Sequence, residues 1–336
     1  MIARLRCIAM AMPLLLSGCS GWQSVLDAQG GPAQRLEQLI LWIVVVCAAV
    51  WLIVVAVLAG ALLRRRAPSG DPLALDARRE RRMMIAVVIG IGTTVVIITA
   101  FTVASFFATR SLTVALPTDL TIEVRGLQWW WDVEYRNEDP ALTVKTANEI
   151  HIPVGRNVRI RLTGVDVIHS FWVPSLAGKQ DLIPGRANEL TIRAERPGVY
   201  RGQCAEFCGV QHARMALLVI AQDDADFDRW LRAQGAAAAE RPDDAEIARG
   251  RQLFLSKPCA ACHAVRGTPA AGATGPDLTH VASRRFIGAG LLPNTRGSLA
   301  AWIADPQTLK PGNNMPLVPL EPEELRAVSA YLASLQ

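Results

Sequence analysis

Cysteine, histidine and methionine side chains are concentrated in one short part of the chain. His169 lies about 35 residues before the segment Cys204-Ala-Glu206-Phe-Cys208-Gly-Val-Gln-His212-Ala-Arg-Met215. Thiolate, imidazole and thioether ligands select copper among the transition metals, and methionine is a weak axial ligand in electron-transfer sites. Because one cysteine and one histidine suffice for a single ion, the doubled set indicates two copper ions bridged by the two sulfurs.

Two other arrangements are compatible with this spacing. Intervals of four, four and three residues also place the side chains on one face of a helix, and an oxidising compartment allows a disulfide between Cys204 and Cys208. Gly202 and Gly209 weaken such a helix, and the apolar run 216–220 that follows resembles a strand. A ligand loop between two strands is the better interpretation.

A second motif, Cys259-Ala-Ala-Cys262-His263, is typical of covalent c-type haem attachment. Its two cysteines would form thioethers with the haem vinyl groups, and His263 would bind the iron. Met315 would supply the second axial ligand, a combination that raises the reduction potential. A thioredoxin-like redox pair is the alternative, but no βαβ pattern surrounds the motif and a histidine follows it directly.

The two motifs lie among different secondary-structure patterns. Residues 158–162 alternate between apolar side chains and arginine as a half-buried strand does, and similar short runs separated by Pro and Gly fill 112–222. This pattern favours an antiparallel sandwich or barrel. Residues 223–244 resemble a partly ordered linker with a short helix. Helical patterns then flank the second motif at 245–256 and 322–335.

Two uncharged segments, residues 39–63 and 83–109, are long enough for transmembrane helices. The first alone makes about 37 Å of helix, more than the roughly 30 Å of a bilayer core. A pair of buried core helices is a poor alternative at this length. The loop 64–82 carries seven arginines against three acidic residues, which predicts a cytoplasmic loop with both termini on the outer side.

The first 19 residues predict a secretory signal, with Arg4 and Arg6 before an apolar run. Leu16-Ser17-Gly18-Cys19 resembles a bacterial lipobox, which predicts lipidation of Cys19, although an ordinary signal cut nearby is the alternative.

The net charge of +5 does not indicate a nucleic-acid partner, because residues 1–110 carry a net charge of +6 and residues 111–336 a net charge of −1. The basic charge is therefore a topology signal.

Residues 35–222 resemble cytochrome c oxidase subunit II. The resemblance is carried by the helix pair, Gln128-Trp129-Trp130-Trp131-Asp132, the segment from His169 to Pro174, residues 179–188 and the cysteine segment. Residues 245–336 resemble class I cytochrome c, including Gly275-Pro276-Asp277-Leu278. The implied fold is a two-helix transmembrane hairpin (36–110), a cupredoxin-like all-β Greek-key barrel (111–222), a linker (223–244) and a small all-α class I cytochrome c domain (245–336).

The resemblance implies a dinuclear copper centre, CuA. Its pattern makes Cys204 and Cys208 the bridges, His169 and His212 the terminal ligands, and Met215 a weak ligand. The Glu206 backbone carbonyl would be another ligand, and its carboxylate would help to bind magnesium at the interface with subunit I.

Further roles follow from the same resemblance. Trp129 would pass electrons inward, in a motif where Trp130 replaces the usual tyrosine. Glu80 resembles the glutamate at the mouth of a proton path in subunit I, although the usual Trp and Pro near it are absent; a solvated loop charge is the alternative. The Pro276 carbonyl would orient His263.

The implied function is that of subunit II of a bacterial aerobic cytochrome c oxidase in the cytoplasmic membrane, together with subunits I and III. Electrons would pass from a periplasmic cytochrome c or similar donor to haem c, then to CuA and to haem a of subunit I, where oxygen is reduced.

A copper chaperone or thiol oxidoreductase is an alternative function, which Met215, the second histidine and the haem motif disfavour. Nitrous oxide reductase would need a further multi-copper domain, and quinol oxidase subunit II lacks the copper ligands. His151 and His280 are predicted to be solvated or core residues.

Overall fold

The computed structural model describes residues 20–64, 76–112, 117–118, 120–136, 143–238 and 243–336. The described residues form two compact units. One comprises Gln34–Val114, and the other comprises the rest of the described chain. The predicted signal with Cys19, the first arginines after residue 64 and part of the linker (239–242) lie outside the described residues.

The first unit consists of two long helices, α1 (Gly31–Leu63) and α2 (Ala77–Leu112). Both begin several residues before the predicted uncharged runs, because arginine, glutamate and alanine are good helix formers. The most apolar window of each helix has none of its residues buried, and each helix is long and apolar enough to cross a membrane. A helix that is apolar on all sides needs lipid or a partner to cover it.

The second unit begins with two five-stranded sheets. The strands are β1 (Leu120–Leu127), β2 (Trp130–Tyr135), β3 (Val144–Ala147), β4 (Glu149–Pro153), β5 (Val158–Gly164), β6 (His169–Trp172), β7 (Gln180–Leu182), β8 (Asn188–Ile192), β9 (Gly198–Cys204) and β10 (Ala216–Gln222). Their orders in the two sheets are β3-β2-β1-β5-β8 and β4-β10-β9-β6-β7.

The sheets are mixed. Strand β1 pairs with β5 in parallel, and so does β10 with β4. The turn signals favour an antiparallel sandwich or barrel, and for these two pairs the antiparallel expectation is wrong. Pro and Gly turns report only where the chain reverses, whereas a parallel pair joins strands that are distant along the chain.

The inner faces of the sheets form one hydrophobic core. Val158, Ile160 and Leu162 point inward from β5, as their alternation predicted, and Arg161 between them stays partly exposed. Trp131 is fully buried and meets Phe171 edge to face at 5.9 Å between ring centroids. This rigid core lies directly beneath the predicted copper ligands.

A helix, α3 (Asp224–Gly235), follows the sheets and lies within the predicted linker. Its Phe227 is buried, and its Trp230 stacks on the ring of His151 at 3.9 Å.

Both histidines that had no predicted role lie in the interior. His151 contacts Glu149 Oε1 at 3.0 Å. Of the two predicted environments for His151, the structure therefore shows the core. His280 is buried too and lies 2.7 Å from the Gln336 carbonyl.

The C-terminal part is a small helical domain with its own core. Gly250 lies where α4 crosses α8, and a Cβ there would come within 2.0 Å of the Ala327 carbonyl oxygen. The elements are α4 (Ala245–Ser256), α5 (Cys259–Cys262), β11 (Phe286–Ile287), β12 (Leu292–Pro293), α6 (Arg296–Ala304), α7 (Pro306–Leu309) and α8 (Pro322–Ser334).

Candidate metal centres

The sulfurs of Cys204 and Cys208 lie 3.7 Å apart in the protein interior. Nδ1 of His169 is 3.9 Å from the Cys204 sulfur, and Nδ1 of His212 is 3.6 Å from the Cys208 sulfur. Met215 places its Sδ 3.9 Å from the Cys208 sulfur. The five donor atoms converge with one imidazole on each side of the sulfur pair, and this soft donor set fits copper.

Three parts of one sheet hold these donors. His169 begins β6, Cys204 ends β9, and the amide N–H of Cys204 donates to the Met215 carbonyl at 2.9 Å where β10 begins. The intervening loop contains only a short 3-10 helix, so the predicted ligand loop is present and the single helix face is not. Both thiols are free, at a separation far longer than the S–S bond of about 2.05 Å.

Asp166 sets the tautomer of His169. Its Oδ1 lies 2.8 Å from Nε2 of His169, and because a carboxylate only accepts, Nε2 carries the proton and Nδ1 keeps its lone pair toward Cys204. Burial opposes the charge of His169, but its contacts with Cys204 and Asp166 raise its pKa. Likewise, burial opposes the Asp166 charge, but hydrogen bonds from His169 and two backbone N–H groups lower its pKa.

The two thiols affect each other's ionisation. The contact with Cys208 and a further one with His169 lower the pKa of Cys204. The contact with Cys204 and burial raise the pKa of Cys208. Because the two sulfurs are in contact, they titrate as a pair, and metal binding would displace the protons that remain on them.

Trp129 and Gln128 contact the same loop from the β1–β2 turn. The Trp129 indole N–H donates to the Cys208 carbonyl at 2.9 Å, and the Gln128 side chain donates to the same oxygen at 2.7 Å. Trp129 is thus joined through one hydrogen bond to a predicted metal ligand. Of the two tryptophans that follow Trp129, Trp131 belongs to the core, in agreement with the expectation that at least one of the three does.

The predicted roles of Glu206 divide between its backbone and its side chain. Its carbonyl oxygen lies 3.2 Å from the Cys204 sulfur, which suits a backbone ligand. Its carboxylate is partly exposed and lies 3.5 Å from Nζ of Lys179. Glu80, far away in the sequence, lies in the exposed first turn of α2.

The haem motif is arranged for an iron ligand. Nδ1 of His263 donates to the Pro276 carbonyl at 2.8 Å, which leaves Nε2 free. Burial lowers the pKa of His263 and keeps the imidazole neutral, as a metal ligand must be. Gly275 packs so closely that a Cβ would lie 2.7 Å from the imidazole.

The other side chains of the haem site are a methionine and two cysteines. Met315 Sδ accepts a hydrogen bond from Trp302 at 3.2 Å. The free thiols Cys259 and Cys262 complete a donor set that fits haem c.

Known proteins share these features. Residues 120–222 match the family described as cytochrome c oxidase subunit II, periplasmic domain, and residues 247–336 match cytochrome c. A cytochrome c oxidase subunit 2 of Alkalihalophilus pseudofirmus is 35% identical over 332 residues, which cover 97% of this chain and 95% of that protein. The chain belongs to the cytochrome c oxidase subunit 2 family.

The chain is also similar to a second relative and to a solved structure. Cytochrome c oxidase subunit 2 of Bacillus subtilis is 31% identical over 228 residues, 65% of this chain and 62% of that protein. The solved periplasmic domain of subunit II of cytochrome oxidase from Bradyrhizobium japonicum is 33% identical, with a TM-score of 0.34, and matches 36% of this chain and 96% of its own. The predicted family, fold class and place in an oxidase complex are confirmed.

Sequence reasoning missed several residues around the cytochrome c oxidase subunit 2 site. Asp166 stands three residues before His169, and that short spacing could have identified it. Lys310 had no such signal. Its ammonium group is buried between the loop 205–215, here called the copper loop, and residues 245–336, here called the haem domain, among carbonyls distant in the sequence.

Proposed function

We propose that this subunit takes electrons from a periplasmic donor at a covalent haem c and passes them through a dinuclear CuA centre to haem a of subunit I. Bound at these sites, the two coppers and the haem iron would supply reversible one-electron chemistry. The observation that supports the proposal most is the symmetrical donor set, with His169 beside Cys204 and His212 beside Cys208. Two ions that share both sulfurs would use every one of these donors.

The chain's own residues prepare both sites. Asp166 and Pro276 each accept a hydrogen bond from the far nitrogen of a histidine, which leaves the near nitrogen as a metal donor. The sulfur donors and His169 are buried against the sheets, and a dry, rigid site needs little rearrangement when an electron arrives. Trp129, bonded to the Cys208 carbonyl, is the side chain we propose as the electron conductor.

The test is metal analysis and electron paramagnetic resonance of the full-length subunit, expressed with copper and haem attachment machinery. We expect two coppers and one covalent haem per chain, with one unpaired electron shared between the coppers. A Cys208→Ser variant should lose the shared-electron spectrum and keep the haem. A single copper per chain, or haem that acid organic solvent extracts, would contradict the proposal.

We further propose that α1 and α2 cross the bacterial cytoplasmic membrane with both termini on the outer side. The seven arginines of the 64–82 loop support this orientation. The same proposal includes three further roles. These are lipidation of Cys19, magnesium binding by the Glu206 carboxylate with subunit I, and proton entry at Glu80. Arg78→Cys and Asp243→Cys, made in the subunit loaded with copper and haem, check the topology. Labelling by an impermeant thiol reagent in whole spheroplasts should exceed that of the unchanged subunit only for Asp243→Cys.

A further inference from the structure

Lys310 lies in the haem domain, directly after α7, and its side chain is almost wholly buried, at 2% exposure. Lysine is rarely buried unless its ammonium group is satisfied. Here Nζ donates to the carbonyl oxygens of Trp129 at 2.8 Å, Arg214 at 2.9 Å and Gly288 at 2.9 Å. An ammonium group has three N–H bonds, and each has an acceptor.

The three acceptors belong to three separate segments. Trp129 is in the turn that contacts the copper loop, Arg214 stands inside that loop between His212 and Met215, and Gly288 is in the β11–β12 hairpin of the haem domain. Nζ therefore joins segments that are up to 181 residues apart in the sequence. Burial lowers the pKa of Lys310 to about 7, whereas the three carbonyl acceptors favour the charged ammonium form.

The segment from Lys310 to Met315 is itself held firmly. The Asn313 side chain donates to the Lys310 carbonyl at 2.8 Å and accepts from the Met315 amide at 2.8 Å. Gln307 also donates to the Met315 carbonyl at 3.0 Å. A constraint on Lys310 is therefore transmitted to Met315, the proposed iron ligand five residues later.

Other contacts continue the same surface. Gln211 donates to the Pro311 carbonyl at 2.7 Å, and Arg214 donates to the Leu309 carbonyl at 3.0 Å. A Cβ at Gly312 would lie only 3.5 Å from the Trp129 ring, so the loop backbone covers the indole. Among these contacts Lys310 alone carries a buried charge, and charge-assisted hydrogen bonds are the strongest kind.

We propose that Lys310 is a positioning residue, which locks the segment from Lys310 to Met315 onto Trp129 and the copper loop. By holding this segment in place, Lys310 determines the rate of electron transfer between the two centres. This inference rests on the proposed function, because it assumes that haem c passes electrons to CuA. It assigns Lys310 no direct part in electron transfer. Its action is to hold two centres at a fixed separation and orientation.

The test uses the assembled oxidase with the variant Lys310→Met, which keeps a similar side-chain volume and removes every donor. Haem c is photoreduced, and its reoxidation by CuA is followed by absorbance. We expect transfer at least about tenfold slower than in the wild type, as loss of hydrogen bonds to a buried charge allows the domains to separate. Haem content, the copper resonance spectrum and both reduction potentials should not change.

Viscosity separates positioning from a merely structural role. Transfer between locked domains should not depend on solvent viscosity, whereas domains that must first dock are slowed by added glycerol. We expect viscosity dependence in Lys310→Met and a weaker one in Lys310→Gln, which retains two N–H donors. Lys145→Met is the matched control, since Lys145 is a half-exposed lysine of the copper domain paired with Glu134.

Three outcomes contradict the inference. Wild-type rates in Lys310→Met would show that the lysine does not position the domains. Slower transfer with a shifted CuA potential and no viscosity dependence would show that its charge acts on the copper instead. Slower transfer in Lys145→Met to the same degree would show a general charge effect. If the wild type itself transfers no electron from haem c to CuA, the proposed function fails, and that result is distinct from all three.

Discussion

Both candidate centres prepare a histidine in the same way. In each, an oxygen atom accepts a hydrogen bond from one ring nitrogen: the Asp166 carboxylate for His169 and the Pro276 carbonyl for His263. The other nitrogen keeps its lone pair for a metal. Such outer partners fix ring orientation and increase the basicity of the ligand. Groups that would not touch the metal therefore contribute to binding it.

Asp166→Asn should weaken copper binding. The amide keeps the shape of the carboxylate but removes the negative charge beside His169, so we expect copper affinity to fall about 10- to 100-fold while the fold is retained. Competition with a copper chelator on the metal-free subunit measures the change. Asp226→Asn is the control, because Asp226 is an exposed carboxylate paired with Arg229 on α3. Equal affinities in the two variants would show that the hydrogen bond is unimportant.

At the scale of elements, close packing positions the ligands. His169 and Cys204 lie at the ends of adjacent strands, β6 and β9, and the loop that joins β9 to β10 supplies Cys208, His212 and Met215. Hydrogen bonds hold these strands in register. In the haem domain, α4 and α8 make the most extensive helix contact, and Gly250 permits their approach. These two helices flank the segment that carries the haem motif. A change at the crossing should therefore affect the haem domain as a whole.

Gly250→Ala should destabilise the haem domain. The new methyl group would overlap the Ala327 carbonyl, and overpacking of this kind costs about 1–3 kcal/mol. Chemical denaturation followed by haem absorbance measures the loss. Gly297→Ala in α6 is the control, because the nearest atom to its new Cβ would be 3.8 Å away. That change should leave stability equal or raise it by up to about 1 kcal/mol, and a similar loss in both variants would exclude the crossing as the cause.

At the scale of the whole molecule, the haem domain covers the proposed electron conductor. Trp129 is only 7% exposed, and the loop at Gly312 lies against its ring. Further hydrogen bonds join the two domains: the Ala216 amide donates to the Ala289 carbonyl at 3.0 Å, and the Arg285 amide donates to the Glu149 carboxylate at 3.0 Å. In the proposed function, a protein donor would therefore meet the haem domain before Trp129.

Removal of the haem should abolish electron entry from a protein donor. In the double variant Cys259→Ser, Cys262→Ser, the copper ligands are untouched, so we expect the CuA resonance spectrum to persist. Oxidation of reduced cytochrome c by the assembled oxidase should fall at least about 100-fold, because Trp129 stays covered. A small diffusible reductant should still reduce CuA, which is the internal control. Rapid oxidation of cytochrome c by the haem-free enzyme would show that donors reach the copper domain directly.

Much of the site could be predicted from sequence because its chemistry restricts residue type. Few side chains bind copper, and a haem attachment motif is contiguous, so Cys204, Cys208 and Cys259 were identifiable without coordinates. The two apolar helices were predicted for an equally local reason, their uncharged length. The mixed sheets were not predicted, since the parallel pairs of β1 with β5 and β4 with β10 join strands that no turn connects.

The sequence alone thus determined the family, the order of the elements and the residues able to bind metal, because side-chain chemistry and helix length are local properties. Only the tertiary structure decided which histidine stands beside which cysteine, that Trp129 is covered, and that Lys310 joins the two domains. Lys310 binds backbone carbonyls, which every residue possesses, so no residue type in the sequence identifies its partners. Such contacts exist only after folding has brought distant segments together.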